Sequence, residues 1–243
     1  DESVQFKATG QWQKPGKGKT PEAIIYIEVD HHSDEQLMTD LAQEIEDVLS
    51  EVQRCVRDFP EMLGKAKSTA QELRDACTVN DKEACTEAAE FVDWMASNHF
   101  TFLAYDEFTV SDAKSGKIVD RDPDHDLGIF RNIDTTRSRV QLKELEPEIR
   151  EFITGPSLIN FMKSGNRSRI HRPAYPDYVV VKRFDKHGNV VGGMRFMGLF
   201  TSIVYIETPN NIPIIRRKLT AIREKSGFER SSHSAKELDR ILE

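Results

Sequence analysis

The chain has 243 residues, 38% hydrophobic and 31% charged, the proportions of a soluble protein long enough to bury roughly 70–75% of its unfolded surface. No apolar run approaches the ~20 residues of a membrane helix, so no membrane partner is expected. The net charge of −7 argues against a general nucleic-acid binder, because binding backbone phosphates calls for a cationic face.

Cys55, Cys77 and Cys85 are odd in number, lack C-x-x-C spacing and fall on predicted helices. That pattern reads as unpaired packing thiols of a cytoplasmic protein rather than disulfides or a zinc site. The chain starts at Asp1 without a leader and stops at Glu243 within a helical pattern, so it reads as a piece of a longer protein.

Residues 1–22 read as a short strand near Val4–Thr9 followed by a loop, and Ala23–Val29, nearly continuous in apolar residues, as a strand covered on both faces. Ser33 and Gln36 have capping-box spacing for a helix whose apolar stripe runs Leu37, Leu41, Ile45, Val48, Leu49, Val52 and Val56. Phe59-Pro60 predicts a break, after which Met62, Leu63, Ala66, Ala70 and Leu73 form a weaker helix to about Ala76. Asn80 and Glu83 cap another, reaching Asn98 with Cys85, Ala88, Ala89, Val92 and Met95 inward. Phe100–Val110 is a strand, Lys114–Lys117 a turn and Ile129–Phe130 a second short strand. The carboxylates of Asp120–Asp126 fail the calcium-loop register at His125 and Arg131, so they read as a solvated acidic loop.

Pro147–Ile153 is a short helix and Ser157–Met162 a strand. Tyr178–Phe184 and Val190–Tyr205 form a hairpin turning at Asp185–Asn189, with a bulge or kink expected at Gly192 and Gly193. Asn211 and Pro213 start a helix through Lys225 that Gly227 stops, and Ser234 with Glu237 caps a last one. Two halves in which strands precede a long amphipathic helix give an α+β fold of antiparallel sheets packed with helices.

Several stretches then carry a family likeness. They are Arg169-Ile170-His171-Arg172-Pro173-Ala174-Tyr175, Val181-Lys182-Arg183-Phe184-Asp185 and Arg195-Phe196-x-Gly198-Leu199-Phe200-Thr201-Ser202, with Ile212-Pro213-x-x-Arg216-Arg217-Lys218 after them. Read with Trp94-Met95-Ala96-x-Asn98-His99-Phe100-Thr101-Phe102-Leu103, they resemble the N-terminal region of the large, bacterial-type NAD-specific glutamate dehydrogenases. Gly193 stands where that family usually carries an acidic residue. The resemblance implies ACT-like modules: a partial one at 1–58, a helical connector at 59–98 and a second at 99–243. It implies an oxidoreductase of amino-acid catabolism, a homo-oligomer using NAD to convert L-glutamate to 2-oxoglutarate and ammonia. Its catalytic lysines and nucleotide fold lie downstream, so this segment is expected to hold no catalytic, cofactor or metal site.

His31-His32 with Asp30, Asp34 and Glu35 is the tightest metal-competent cluster, but adjacent histidines point apart and the acids suit a helix N-terminus. No nucleophile elbow, zinc-protease motif or Walker lysine occurs. The better candidates are Arg167, Arg169, His171, Arg172, Lys182, Arg183 and Arg195, interleaved with Tyr175, Tyr178 and Phe196. Guanidinium groups grip carboxylates bidentately, so Arg169, His171, Arg172, Tyr175, Arg183 and Arg195 can hold an amino-acid effector or an acidic patch of a catalytic domain or neighbouring subunit. The plainer reading is alternate strand residues facing water. On the docking reading, Arg172→Ala with Arg183→Ala leaves the fold intact. Two function classes stay open: a noncatalytic regulatory and assembly region of the dehydrogenase, or a free-standing amino-acid-sensing or interaction module.

Overall fold

The computed structural model describes residues 26–28, 33–76, 82–114, 116–131, 139–229 and 231–242. The strand near Val4–Thr9, the histidine pair, Cys77 and the Asn80 cap lie outside them. The chain divides into two units, 1–47 and 48–243.

In the first unit, residues 26–28 form no strand and Tyr26 and Ile27 are exposed, against the expectation of a doubly covered strand. Helix α1, Glu35–Ala76, is capped one residue later than expected: Asp34 Oδ1 accepts from the backbone N–H of Gln36 at 3.0 Å and of Leu37 at 3.2 Å. Along its opening turns, Gln36–Asp40 at 2.7 Å and Gln43–Asp47 at 3.0 Å are side-chain pairs one turn apart.

The break expected at Phe59-Pro60 does not occur, for α1 runs through Pro60. Pro60 and Val56, whose carbonyl loses its helical donor, are exposed, so water can take the donor's place. Beyond the proline, Met62, Ala66, Ala70 and Leu73 are buried on one stripe, which offsets the lost bond. The expected stripe is realised only in part before it: Val48 packs against the cluster around Leu103, whereas Leu49, Val52 and Val56 are exposed, and full burial in the second unit's part of α1 begins at Cys55.

Helix α2, Lys82–Trp94, ends in a wide turn, Met95–His99, in which Asn98 is left-handed at φ 68°. The strands are β1 (Phe100–Ala113), β2 (Gly116–Arg121), β3 (Leu127–Gly128), β4 (Arg139–Gln141), β5 (Ile159–Lys163), β6 (Asp177–Phe184) and β7 (Val190–Phe200). They form a seven-stranded sheet in the order β4-β2-β1-β7-β6-β5, with β3 also on β1, and every pairing is antiparallel. Helices α3 (Pro147–Thr154), α4 (Ile215–Ser226) and α5 (His233–Leu242) complete an α+β architecture. No described helix is long and apolar enough to cross a membrane.

The hairpin β6–β7 is interior. β7 lies between β1 and β6, and Val179, Val180 and Val181 are all buried because both sheet faces are covered. One face packs Phe100, Phe102, Tyr105, Val179, Val181, Met194 and Phe196 against α1 and α2, so the helices at 59–98 help form the core of this unit. The opposite face holds Leu103, Met197 and Leu199 in one cluster and Phe108, Val180 and Val190, beside Phe152 and Ile153 of α3, in another. A bulge at Leu103 shifts the register between Phe102 and Ala104, which is why Phe102 and Tyr105, three apart, share a face. Its carbonyl accepts from Cys55 Sγ and from the Ile129 N–H, each at 3.0 Å.

Several ends move. β7 stops at Phe200 instead of Tyr205, because its partner β1 begins at Phe100 and offers nothing beyond the Thr201 N–H to His99 carbonyl rung. Residues Ser202–Tyr205 form a 3-10 turn. The strand expected at Ile129–Phe130 is Leu127–Gly128, ended by Gly128 at φ 64°. The bulge falls at Val191, between the pairs Phe184–Val190 and Arg183–Gly192. Ser232, rather than Ser234, caps α5, accepting from Ala235 N–H at 3.1 Å, while Gly227 ends α4 in the left-handed region as expected. A Cβ on Gly193 would meet the Val181 carbonyl oxygen at 2.5 Å and the Phe108 ring at 3.0 Å, so no acidic side chain fits there.

Candidate functional site

Strand alternation disperses the cation-rich set. Lys182 and Arg183 are neighbours on β6 and leave the sheet on opposite faces. Lys182 is buried and its Nζ donates to the Gly155 carbonyl at 2.8 Å; burial pulls its ammonium down to about 8. Arg183 spans Glu72, at 2.6 and 3.0 Å, and Glu107, at 3.0 Å. Glu107 also accepts from Lys65 Nζ at 2.9 Å and the Tyr105 hydroxyl at 2.7 Å. Burial opposes its charge, but these bonds outweigh that and hold its carboxyl at about 2, while burial and the bond to Glu107 push the Tyr105 phenol up.

On the other face Arg195 sits directly across the ladder from Asp106 and grips it through Nε at 3.0 Å and through Nη2. Arg121 reaches the same Asp106 at 3.1 Å and Asp126 at 3.0 and 2.7 Å. The Phe130 ring lies 5.2 Å from the Arg121 guanidinium and 5.0 Å from that of Arg195. Asp126 is only 3% exposed, which corrects the solvated-loop reading; Asp122, the loop's other anchor, caps the 3-10 turn Pro123–His125. Burial pushes the Asp126 carboxyl up despite Arg121.

Arg172 donates through Nη2 to the Phe200 carbonyl at 2.7 Å, and its Nε is buried without a partner among the described residues. Arg172 and Arg183 each thus make contacts within the fold, which the reading of both as free docking cations did not include. His171, at φ 65°, and Tyr175 are exposed on the β5–β6 loop, where Arg167 lies 5.4 Å over the Tyr175 ring.

That loop forms one wall of a cleft of about 350 Å³. Arg167 and Arg169 come from the loop, Glu51 and Arg54 from one turn of α1, and Arg131 from the turn after β3. Phe130, Tyr178 and Met197 supply its apolar floor. Arg169 pairs with Glu51, Arg54 Nη1 donates to Ser50 Oγ at 2.8 Å, and Arg131 Nε donates to Asp58 Oδ2 at 2.8 Å. Burial opposes charge on Asp58, yet Arg57, Arg131 and the Gly128 N–H keep its carboxyl at about 2. Of the residues singled out in sequence, the cleft gathers Arg167, Arg169 and Tyr178, and leaves Lys182, Arg183 and Arg195 elsewhere. Arg54 and Arg131 were missed; they lie on a predicted helix and next to a short strand, with no local cation pattern to mark them.

No group of three or more His, Cys, Asp or Glu side chains among the described residues is placed to hold a metal ion. Cys55 and Cys85 are buried, and burial pushes the Cys55 thiol up to about 11.

The segments that carry the family likeness meet in space, since 100–102 of β1 pair with 198–200 of β7. A family model described as "Glutamate dehydrogenase, helical motif 1" matches residues 212–243, which include α4 and α5. The chain is 39% identical over 224 residues to an NAD-specific glutamate dehydrogenase of Halomonas elongata, covering 91% of this chain and 14% of that protein. It is 38% identical over 247 residues to one of Pseudomonas aeruginosa, covering 99% of this chain and 15% of the relative. The chain thus spans about a seventh of these relatives' length, and it is related along almost all of its own length to the N-terminal region of the large NAD-specific glutamate dehydrogenases.

Proposed function

We propose that this chain is a noncatalytic regulatory and assembly segment of an NAD-dependent glutamate dehydrogenase, a cytoplasmic homo-oligomer that oxidatively deaminates L-glutamate to 2-oxoglutarate and ammonia. The observation that carries the reading is a 38–39% match over 91–99% of the chain but only 14–15% of the relatives. The reaction chemistry then belongs to the remainder of such an enzyme. The described residues do not fit a dinucleotide: Gly188, Gly192, Gly193 and Gly198 lie in the hairpin rather than between a strand and a helix. At the N-terminus of α4, the kind of position that binds a pyrophosphate in dinucleotide folds, the Ile214 N–H already donates to Glu87 Oε2 at 2.7 Å.

The sheet covered by helices serves as an ACT-like module in this reading. Its docking face for the rest of the enzyme comprises Ile203, Tyr205 and Ile206, exposed just before the matched helical motif, together with Ile222 and Phe228. Arg169, His171 and Tyr175 form an exposed polar contact for a neighbouring subunit or an amino-acid effector, with Arg172, Arg183 and Arg195 holding the strands that present them.

In the full-length enzyme, Tyr205→Ser with Ile206→Ser should loosen subunit assembly in sedimentation runs and lower glutamate-dependent NADH formation; unchanged assembly and rate would sink the docking face. The chain alone should give no glutamate-dependent NADH and no micromolar NAD binding by calorimetry, and either signal would overturn the noncatalytic reading.

A further inference from the structure

We propose that the cleft walled by α1, the turn after β3 and the β5–β6 loop binds a small organic anion in which a carboxylate or phosphate adjoins a flat apolar body. The inference rests on the geometry of this chain and does not depend on the assembly reading.

Charge balance comes first. Among the described residues, Arg54, Arg131, Arg167 and Arg169 face the cleft against one lining carboxylate, Glu51, in a chain whose net charge is −7. Concentrating surplus guanidinium groups in one concavity focuses a positive potential there and favours an oxyanion. Each guanidinium offers five N–H donors in a planar fork, and the partners found use few of them. Arg54 Nη1 meets only a serine hydroxyl, and Arg54 Nε is buried with no partner among the described residues. Arg167 has an aromatic face beneath it at Tyr175, which steadies the side chain while leaving its N–H edge for an anion.

Shape and lining narrow the ligand. About 350 Å³ lies at the small end of ligand sites, and the floor of Phe130, Tyr178 and Met197 suits a flat apolar body. Phe130 and Tyr178 are stacked at an interplanar angle of 12°, with Arg195 held over both rings, so the floor is preorganised. Glu51, one helical turn before Arg54, occupies Arg169 with a carboxylate of the chain's own. It acts as an internal competitor that the ligand's acid group displaces, so its removal should strengthen binding.

The test titrates the chain calorimetrically, at matched ionic strength, with phenyl phosphate, benzoate and the neutral benzyl alcohol. At least one anion should bind saturably and benzyl alcohol should not. Preference for phenyl phosphate assigns a phosphate ester, and preference for benzoate a carboxylate. Arg167→Gln should weaken binding by about tenfold, and Glu51→Gln should tighten it by about threefold, effects of opposite sign that a general loss of structure cannot mimic. Lys186→Gln, on the exposed hairpin turn, should change nothing. Failure of both anions to saturate, equal binding of benzyl alcohol, or affinities the same in Arg167→Gln and Glu51→Gln would overturn the proposal.

Discussion

On the sheet, Arg195 and Arg121 converge on Asp106 while Arg121 also takes Asp126, so two guanidinium groups meet two carboxylates. In the cleft, among the described residues, four arginines share one lining carboxylate, Glu51, with Asp58 behind Arg131. The residue type is the same, but the two regions differ in how many carboxylates the fold brings to them. Where partners match, the arginines are committed to carboxylates of the fold that water hardly reaches, Asp106 being 1% exposed. Where arginine is in excess, donors are left over and the region suits a partner from outside.

The largest effect should come from breaking the matched region. Asp106→Ala leaves the half-buried Arg195 without its carboxylate and Arg121 with Asp126 alone, and removing the buried partner of such an ion pair costs about 3 kcal/mol. Urea denaturation should show that loss, and a change below about 1 kcal/mol would mean that the pair is not buried as described.

Arg172→Ala with Arg183→Ala comes next. It frees the Phe200 carbonyl and leaves Glu107 with Lys65 and Tyr105 alone, for a loss of about 1–3 kcal/mol per site. A thermal midpoint equal to that of the parent chain would return both residues to the surface class.

The smallest effect sharpens the comparison through pH. Glu107 is held at about 2, below its ordinary 4.5, so its ionised form stabilises the fold fully above about pH 4.5. That contribution, on the order of 1 kcal/mol after screening, fades as pH falls from 4.5 towards 2. The stability gap between the parent chain and Glu107→Gln should therefore be widest near neutrality and close in acid; a gap that stays constant with pH refutes the assignment.

The carboxylates at the centre of the matched region had a signal in sequence. Asp106-Glu107 interrupts Leu103-Ala104-Tyr105 and Phe108-Thr109-Val110 in a strand otherwise bound for the interior, and buried charges in a strand imply cross-strand partners. Alternation then sends Asp106 to Arg195 and Glu107 to Arg183. Only one wall of the cleft is marked locally, by Arg167 and Arg169 of the cation-rich segment; Glu51, Arg54 and Arg131 are separated from it by long stretches of chain and join it through the packing of α1 and the β5–β6 loop beside the sheet.

Local periodicity in the sequence was enough to locate a hairpin from Tyr178 with its turn at Asp185–Asn189, a short helix from Pro147, a helix through Lys225 with its glycine stop at 227, and the family likeness carried by contiguous motifs, though not where the hairpin ends or that α4 begins at Ile215. Each of these depends on neighbours within a few residues, which the chain order contains. Tertiary structure alone decided that α1 runs through Pro60, that β7 ends where β1 begins, and which cations are saturated and which are left over. These depend on buried area and on partners far along the chain, terms that outweigh local propensity and are absent from any short window of sequence.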